Sequence, residues 1–385
     1  AIGRVHDVAH GSLRLSLCEY NTEEEVDYIL EPSREELLIL LLPKVLRMKL
    51  YTALLDSNAS EHAARTMALA EENGEMDMTR GKEDERMMVS IANPETVEPL
   101  VNMALMMRDP KSKKELLAVT VEEEYDETKK QAKLAQRRKS LEKAARIASA
   151  VDVPMKTRCR LSTNAATGIL NTASEMNATE IVLGLHHKHG LLDSFLGSFA
   201  QSILKGTHRQ LMIVKSLIPA NTMRRIMVAV PPKAEFEAGF YKWVERVARI
   251  GGQLGCRVHF WAHPDTMQRI NGYMNRFHAS VRVEYSPMDE WDDLLLMSSK
   301  VAYDHLVVIV CARRGAISYQ PSFEELPEQI TKYFSDNSLM LVYPDQLGDP
   351  QSVVTFSSPR EQLENRIYDH VSSWIYKWFK KGEEQ

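Results

Sequence analysis

The sequence has few cysteines, little net charge and no uninterrupted apolar run of membrane-spanning length. Its four cysteines lie far apart without a CxxC pair, which argues against a disulfide framework and a thiolate zinc site and favours a reducing, cytoplasmic environment. The formal net charge of −5 gives no general attraction to nucleic acid or anionic lipid, so we expect no nucleic-acid partner. The most apolar stretch, ELLILLLPKVLRMKLYTALL, is interrupted by a proline and three basic residues and does not suit a bilayer span. No signal peptide is visible.

From about residue 85 the chain alternates short apolar runs with helical patterns, which predicts a parallel sheet with crossover helices. RRIMVAVPP then repeats RMMVSIANP at an offset of 139 residues, and SLMLVYPD repeats QLMIVKSL at an offset of 128. A long charged helix in the first copy, from about Asp126 to Ala150, accounts for the difference. We therefore predict an α/β chain with two tandem five-stranded parallel-sheet domains of the Rossmann-like type.

The predicted organisation has four parts. They are a largely helical N-terminal segment (1–80), a first α/β domain (81–218), a second α/β domain (219–347), and a C-terminal loop with an amphipathic helix (348–385). The polar stretch AEENGEMDMTRGKEDER, residues 70–86, is expected to be a flexible boundary. In the second copy one helical stripe is predicted to pack on the sheet, and it consists of Phe236, Phe240, Trp243, Val244, Val247 and Ile250.

The segment AATGILNTASEMNATEIVLGLHH…GLLDSFLGSFAQSILKGTHRQLMIVK resembles the universal stress protein family. The resemblance covers residues 85–217 well and 223–345 more weakly, and it is greatest to the tandem region at the cytoplasmic end of bacterial sodium/proton antiporters. It implies a universal-stress-like fold, a nucleotide such as ATP as a ligand, self-association, and the membrane domain of an antiporter as a partner.

Nucleotide-binding members of that family carry the pattern G-x2-G-x9-G-[S/T] after the fourth strand, where loop amides and the hydroxyl hold phosphate and ribose oxygens. The corresponding residues here are Gly184, His187, Gly197 and Ser198. His187 replaces a glycine, and an imidazole resists the close backbone approach that glycine permits. The family's adenine-contacting aspartate falls at Ala92, and the neighbouring Asn93 supplies an amide that could bond to an adenine edge.

The second copy departs further from the pattern. Pro231 stands at the aspartate position and no Gly-Ser pair precedes the helix, so this copy is interpreted as a structural or dimerising partner. Arg313 and Arg314 could hold an anion, although an exposed arginine pair is more often a solvated loop.

The histidines at 186, 187 and 189 admit three readings. A metal site needs three or four converging ligands that the spacing does not provide, so no metal is expected. Titration is the second reading, because imidazoles change charge near pH 6.5. A solvated loop is the third and commonest.

Two further resemblances concern the N-terminal segment. Residues 6–30, HDVAHGSLRLSLCEYNTEEEVDYIL, resemble the C-terminal segment of cysteine desulfurases. In that family an arginine binds the substrate carboxylate, and the corresponding residue here would be Arg14. ALLDSNASEHAARTMA, within residues 31–69, resembles the C-terminal helix of the ATP synthase gamma subunit. The cofactor domain of the first family and the partner helix of the second are absent from this sequence.

Together these patterns indicate a regulatory or sensory tandem module that binds a nucleotide or small anion in its first domain. The alternatives are a ligand-free dimerisation module and, less favoured, a cysteine desulfurase-like enzyme fragment. No Ser-His-Asp triad, paired carboxylates or Walker loop is evident, so we expect no enzyme, with weak ATPase activity left open.

Overall fold

The computed structural model describes residues 85–123, 130–185, 198–313 and 315–346. The predictions for residues 1–80 and 348–385, including their helices, lie outside these residues. The ten strands are β1 Met87–Ser90, β2 Leu116–Glu123, β3 Met155–Ser162, β4 Glu180–Gly184, β5 Gln210–Lys215, β6 Arg225–Ala229, β7 Arg257–Ala262, β8 Val283–Pro287, β9 His305–Val310 and β10 Ser338–Tyr343.

Eight α-helices are described between these strands. They are α1 Val97–Met107, α2 Lys130–Ser149, α3 Ala165–Glu175, α4 Ser198–Gly206, α5 Phe240–Leu254, α6 Pro264–Phe277, α7 Leu294–Ser298 and α8 Leu326–Tyr333. Short 3-10 turns precede α1 (Pro94–Thr96) and α5 (Ala234–Phe236).

The strands form one sheet in the order β3-β2-β1-β4-β5-β10-β9-β6-β7-β8. Within each half all neighbours are parallel and the two orders are equivalent, which confirms the predicted pair of five-stranded parallel units. The crossover between β2 and β3 covers residues 124–154, whereas that between β7 and β8 covers 263–282, which accounts for the difference between the two repeat offsets.

The two halves join through β5 and β10, which pair antiparallel, with Leu341 opposite Ile213. Every residue of both strands is buried. The sequence did not predict this junction, which makes one continuous sheet from the two units.

Each face of the sheet carries one apolar core that extends across both halves. Helices α1, α2, α5 and α6 contribute to one core, and α3, α4, α7 and α8 to the other. The predicted apolar stripe of the second half is confirmed for the five residues from Phe240 to Ile250, which are buried in α5. Phe236 is a correction, because it lies in the 3-10 turn before α5 and is half-buried.

Candidate functional site

The first half has a topological switch point between β1 and β4. The chain leaves β1 to α1 on one face of the sheet and leaves β4 to α4 on the other, while the two strands pair with Ser90 beside Leu183. Crossovers that diverge in this way open a crevice outside the carboxyl ends of the strands, which is where open α/β sheets bind ligands.

Two of the predicted site residues lie at this switch point. Gly184 ends β4, and Asn93 lies just after β1, the neighbouring strand. A Cβ atom at Gly184 would lie 3.1 Å from Leu100 Cδ2 and 3.6 Å from Thr96 Oγ1. Glycine therefore allows the start of α1 to approach the end of β4 closely.

Asn93 has a local role as a helix cap. Its Oδ1 accepts a hydrogen bond from the Glu95 amide at 3.0 Å, and its carbonyl oxygen accepts one from Thr96 Oγ1 at 3.1 Å. The side-chain oxygen expected at an adenine edge is thus already an acceptor within the 3-10 turn.

The other predicted residues are only partly described. Ser198 is the first residue of α4, so it stands where the unpaired amides of a helix start can face an anion. His187 and Gly197, with the remainder of the histidine loop, lie outside the described residues. Among the described residues, no group of three or more His, Cys, Asp or Glu could hold a metal ion.

Two residues beside the crevice were not identified from the sequence. Arg137 on α2 donates from Nε to Glu122 Oε2 at 2.9 Å and from Nη1 to the Ala92 carbonyl. Lys133, one turn earlier, lies 3.5 Å from the same carboxylate. These contacts place two cations and one carboxylate near the ends of β1 and β2, which leaves one net positive charge there.

The equivalent crevice of the second half is closed by the chain itself. Glu237 follows β6, Ser318 follows β9, and these two strands are neighbours. Ser318 donates to Glu237 Oε1 from its amide at 3.1 Å and from its hydroxyl at 2.8 Å, and both residues are buried. The Glu237 carboxylate thus accepts both the amide and the hydroxyl donor of Ser318.

The Arg313 side chain supports this closure. It donates to the carbonyls of Arg209 and Pro344, and burial lowers its pKa to about 10 despite the charge of Asp345. Arg313 is therefore a half-buried link between chain segments, which corrects the expectation of an exposed pair that is either a solvated loop or an anion site. Arg314 lies outside the described residues.

Glu237→Gln is expected to leave the melting temperature at pH 7 unchanged or to raise it. Burial raises the pKa of Glu237 against the hydrogen bonds from Ser318 and the charge of Arg313, so its charge is costly, while glutamine keeps an acceptor for both Ser318 donors. Glu237→Ala should instead cost about 1–3 kcal/mol, since it strands those donors. Thermal unfolding of both variants measures this. An equal loss of stability in Glu237→Gln and Glu237→Ala would show that the charge of Glu237 is itself required.

The first half of the sheet matches one known family. Residues 85–215 match the Universal stress protein family. The match runs from just before β1 to the end of β5, and it includes the crevice between β1 and β4.

Among solved structures, a putative universal stress protein from Pseudomonas aeruginosa is similar at 15% identity and a TM-score of 0.42, over 69% of this chain and 95% of that one. A universal stress protein from Archaeoglobus fulgidus is similar at 11% identity and a TM-score of 0.46, over 69% of this chain and all of that one. The cytoplasmic domain of a prokaryotic cation chloride cotransporter is similar at 8% identity and a TM-score of 0.45, over 70% of this chain and 99% of that one.

Curated relatives match a short part of this chain. The ATP synthase gamma chain of Phocaeicola vulgatus is 57% identical over 61 residues, which are 15% of this chain and 21% of the relative. That of Bacteroides thetaiotaomicron is 59% identical over 58 residues, 13% of this chain and 20% of the relative. This chain thus spans about a fifth of the length of these gamma chains. Among the described helices, none has the length and apolar character needed to cross a membrane.

Proposed function

We propose that the chain is a regulatory module that binds a nucleotide or another small phosphate-bearing anion in the crevice of its first half. The observation that carries the proposal is the position of Gly184 and Asn93 on neighbouring strand ends at the switch point, in a domain whose residues match the universal stress protein family. The start of α4 at Ser198 and the cation of Arg137 add donors and positive charge suited to an anion.

The module is proposed to bind one ligand per chain. The second half offers its Ser318 donors to its own Glu237, so an external phosphate would have to displace a buried carboxylate. Glu98, which corresponds to Glu237 at the offset of 139 residues, is instead exposed in the first half and lies 3.4 Å from Lys143 Nζ.

A ligand in the first half has a direct structural route to the second. Strand β4 ends at Gly184 beside the crevice and begins at Glu180, which is buried and paired with Arg246 on α5 of the second half. A ligand that shifts β4 therefore acts on the contact between the halves, which supports regulation by a change of shape.

The ligand-free interaction module is the second candidate function. The closed crevice of the second half and the use of Asn93 Oδ1 as a helix cap favour it. A role as the regulatory part of a sodium/proton antiporter is a narrower proposal that rests on the resemblance of residues 85–217 and 223–345. Antiport measured in vesicles with and without the added chain tests that role.

Calorimetric titration of the full chain with ATP, ADP and AMP is the decisive experiment. We expect binding by the wild type, its loss in Gly197→Val, and a weakening of about 0.5–3 kcal/mol in Ser198→Ala through removal of one hydroxyl donor. Ser174→Ala, on the exposed side of α3, is the matched control and should bind as the wild type does.

The same titration at pH 6 and pH 8 examines His187. A protonated imidazole favours an anion, so affinity should rise as the pH falls, and His187→Gly should flatten that dependence. Affinity that is indifferent to Gly197→Val would remove the loop from the site. No nucleotide binding by the wild type would favour the ligand-free module.

A further inference from the structure

Basic side chains form a row across four neighbouring strands at the amino-terminal edge of the second half. Arg225 begins β6 and pairs in register with Arg257, the first residue of β7, and with His305, the first residue of β9. Because Val258 pairs with Val283 on β8, the preceding Arg282 stands beside Arg257. This edge lies at the opposite end of these strands from the closed crevice of the second half.

Such a row is unfavourable unless anions balance it. Register partners in a parallel sheet project to the same face about 4.8 Å apart, and like charges placed side by side are destabilising. One carboxylate, Glu284, accepts from both Arg257 at 2.9 Å and Arg225 at 3.2 Å. The row therefore has fewer internal counterions than cations.

The remaining charges leave an excess of positive charge. Asp304 lies 3.7 Å from Arg224 Nε and 3.7 Å from His305 Nε2, both longer than hydrogen-bonded ion pairs. The Arg282 side chain is exposed and has no ion pair or hydrogen bond to any residue that the structure describes. Four guanidinium groups thus face two carboxylates, even with the imidazole neutral, in a chain of net charge −5.

These side chains surround an open cavity of about 580 Å³, within the size range of small-ligand sites. Its lining consists of Arg224, Arg225, Gly255, Cys256, Arg257, Arg282, Asp304 and His305. Gly255 follows the C-terminus of α5, whose dipole contributes about half a negative charge. The two surplus guanidinium charges outweigh it.

We propose that this cavity is a second anion site, which binds a small molecule carrying two or more linked phosphate groups. Guanidinium groups match phosphate oxygens with paired N–H donors, and several arginines in one cavity favour a multiply charged ligand over a single carboxylate. The phosphate chain of a nucleotide and an inorganic oligophosphate share this chemistry. The site does not depend on the proposed function, since it shares no residue with the crevice of the first half.

The test is titration of the full chain with inorganic tripolyphosphate, in which variants of this cavity distinguish its binding from binding in the crevice of the first half. Arg282→Gln should weaken binding about tenfold or more through loss of hydrogen bonds to a charged oxygen, and it strands no partner in the folded protein. Asp304→Asn should strengthen binding, because it removes a negative charge from the cavity. Arg158→Gln, which removes an exposed arginine from the first half, should change binding by less than about twofold.

Opposite effects of the Arg282 and Asp304 variants support the proposal, because a purely structural role would not produce them. Equal weakening by Arg158→Gln, or no tripolyphosphate binding by the wild type, would overturn it. Titration with ATP then shows whether the cavity binds the phosphate chain of a nucleotide or an inorganic oligophosphate. Dependence of ATP affinity on Arg282 assigns the nucleotide's phosphate chain to this cavity, whereas dependence on Ser198 alone assigns inorganic oligophosphate to it and ATP to the crevice.

Discussion

Arg246→Met should lower the free energy of unfolding by about 3–5 kcal/mol, because it leaves a buried glutamate without its cation. Arg246 donates from Nε to Glu180 Oε2 at 2.9 Å and from Nη2 to Glu180 Oε1, and its Nη1 lies 3.2 Å from Glu85 Oε2. Arg246 is 1% exposed and Glu180 is fully buried. Methionine keeps most of the side-chain volume, so the loss reports the charge and not a cavity.

This ion pair belongs to a network that joins the two halves of the sheet. Arg249, one turn along α5, donates to Glu85 at 2.6 Å and to Glu245 at 2.8 Å. Glu85 and Glu180 precede or begin strands of the first half, whereas both arginines lie on α5 of the second. Damage to the network should therefore loosen the contact between the halves as well as lower stability.

Urea unfolding of three variants measures the effect. Arg158→Met breaks an exposed pair with Glu175 at 3.1 Å, so it should cost less than about 1 kcal/mol. The double variant Arg246→Met/Glu180→Leu should recover part of the loss, because apolar replacement of both partners removes the unpaired charge. If Arg246→Met is as mild as the exposed control, the pair is not buried in solution.

The sequence was sufficient to predict two copies of a five-stranded parallel unit, because alternating apolar runs and helical patterns repeat along the chain. It was not sufficient to predict how the halves meet. The runs QLMIVK and SLMLVY are fully apolar at their centres, and such a run fits an inner strand of either a parallel or a mixed sheet. The antiparallel pairing of β5 with β10 follows from packing between the copies, which local periodicity does not encode.

The same limit applies to the charged residues of α5. Its apolar stripe was predicted correctly from Phe240 to Ile250, but Glu245, Arg246 and Arg249 on the other side of the helix are also buried. A charged residue opposite an apolar stripe ordinarily indicates solvent. The partners of the two arginines, Glu180 and Glu85, come from the first half, whereas those of Glu245 come from α6 and the residue after it, and neither set is encoded in the local pattern of α5.

For the candidate site, the resemblance to the family pattern selected Gly184 and Ser198, which lie at the end of β4 and the start of α4. Arg137 and Glu122 were missed because they come from α2 and β2, which neighbour the crevice only in the folded sheet. The closure of the second crevice by Glu237 was missed for the same reason, since it lies 81 residues from Ser318.

Acidification should destabilise the folded chain over a pH range that is set by the protonation of Glu245. Burial would raise the pKa of Glu245, but hydrogen bonds from His278 and Tyr273, both at 2.6 Å, and the charge of Arg249 lower it from 4.5 to about 2. A carboxylate whose folded pKa is depressed stabilises the fold above its unfolded pKa, and this contribution is lost as the pH falls from 4.5 to 2. The loss is on the order of 3 kcal/mol. Glu180, whose pKa is lowered by Arg246 against its burial, acts in the same direction.

Glu237 has the opposite effect on stability as the pH falls, and it acts in a different pH range. Its raised pKa means that the folded state binds a proton before the unfolded state does, so stability should increase as the pH falls towards 4.5. Urea unfolding between pH 7 and pH 2.5 separates the two groups. Glu237→Gln should remove the gain above pH 4.5 and leave the acid loss, whereas Glu245→Gln should lower stability at pH 7 and flatten the loss below pH 4.5. An unchanged acid slope in Glu245→Gln would show that other carboxylates set the acid limit, and that the contacts from His278 and Tyr273 do not hold Glu245 charged.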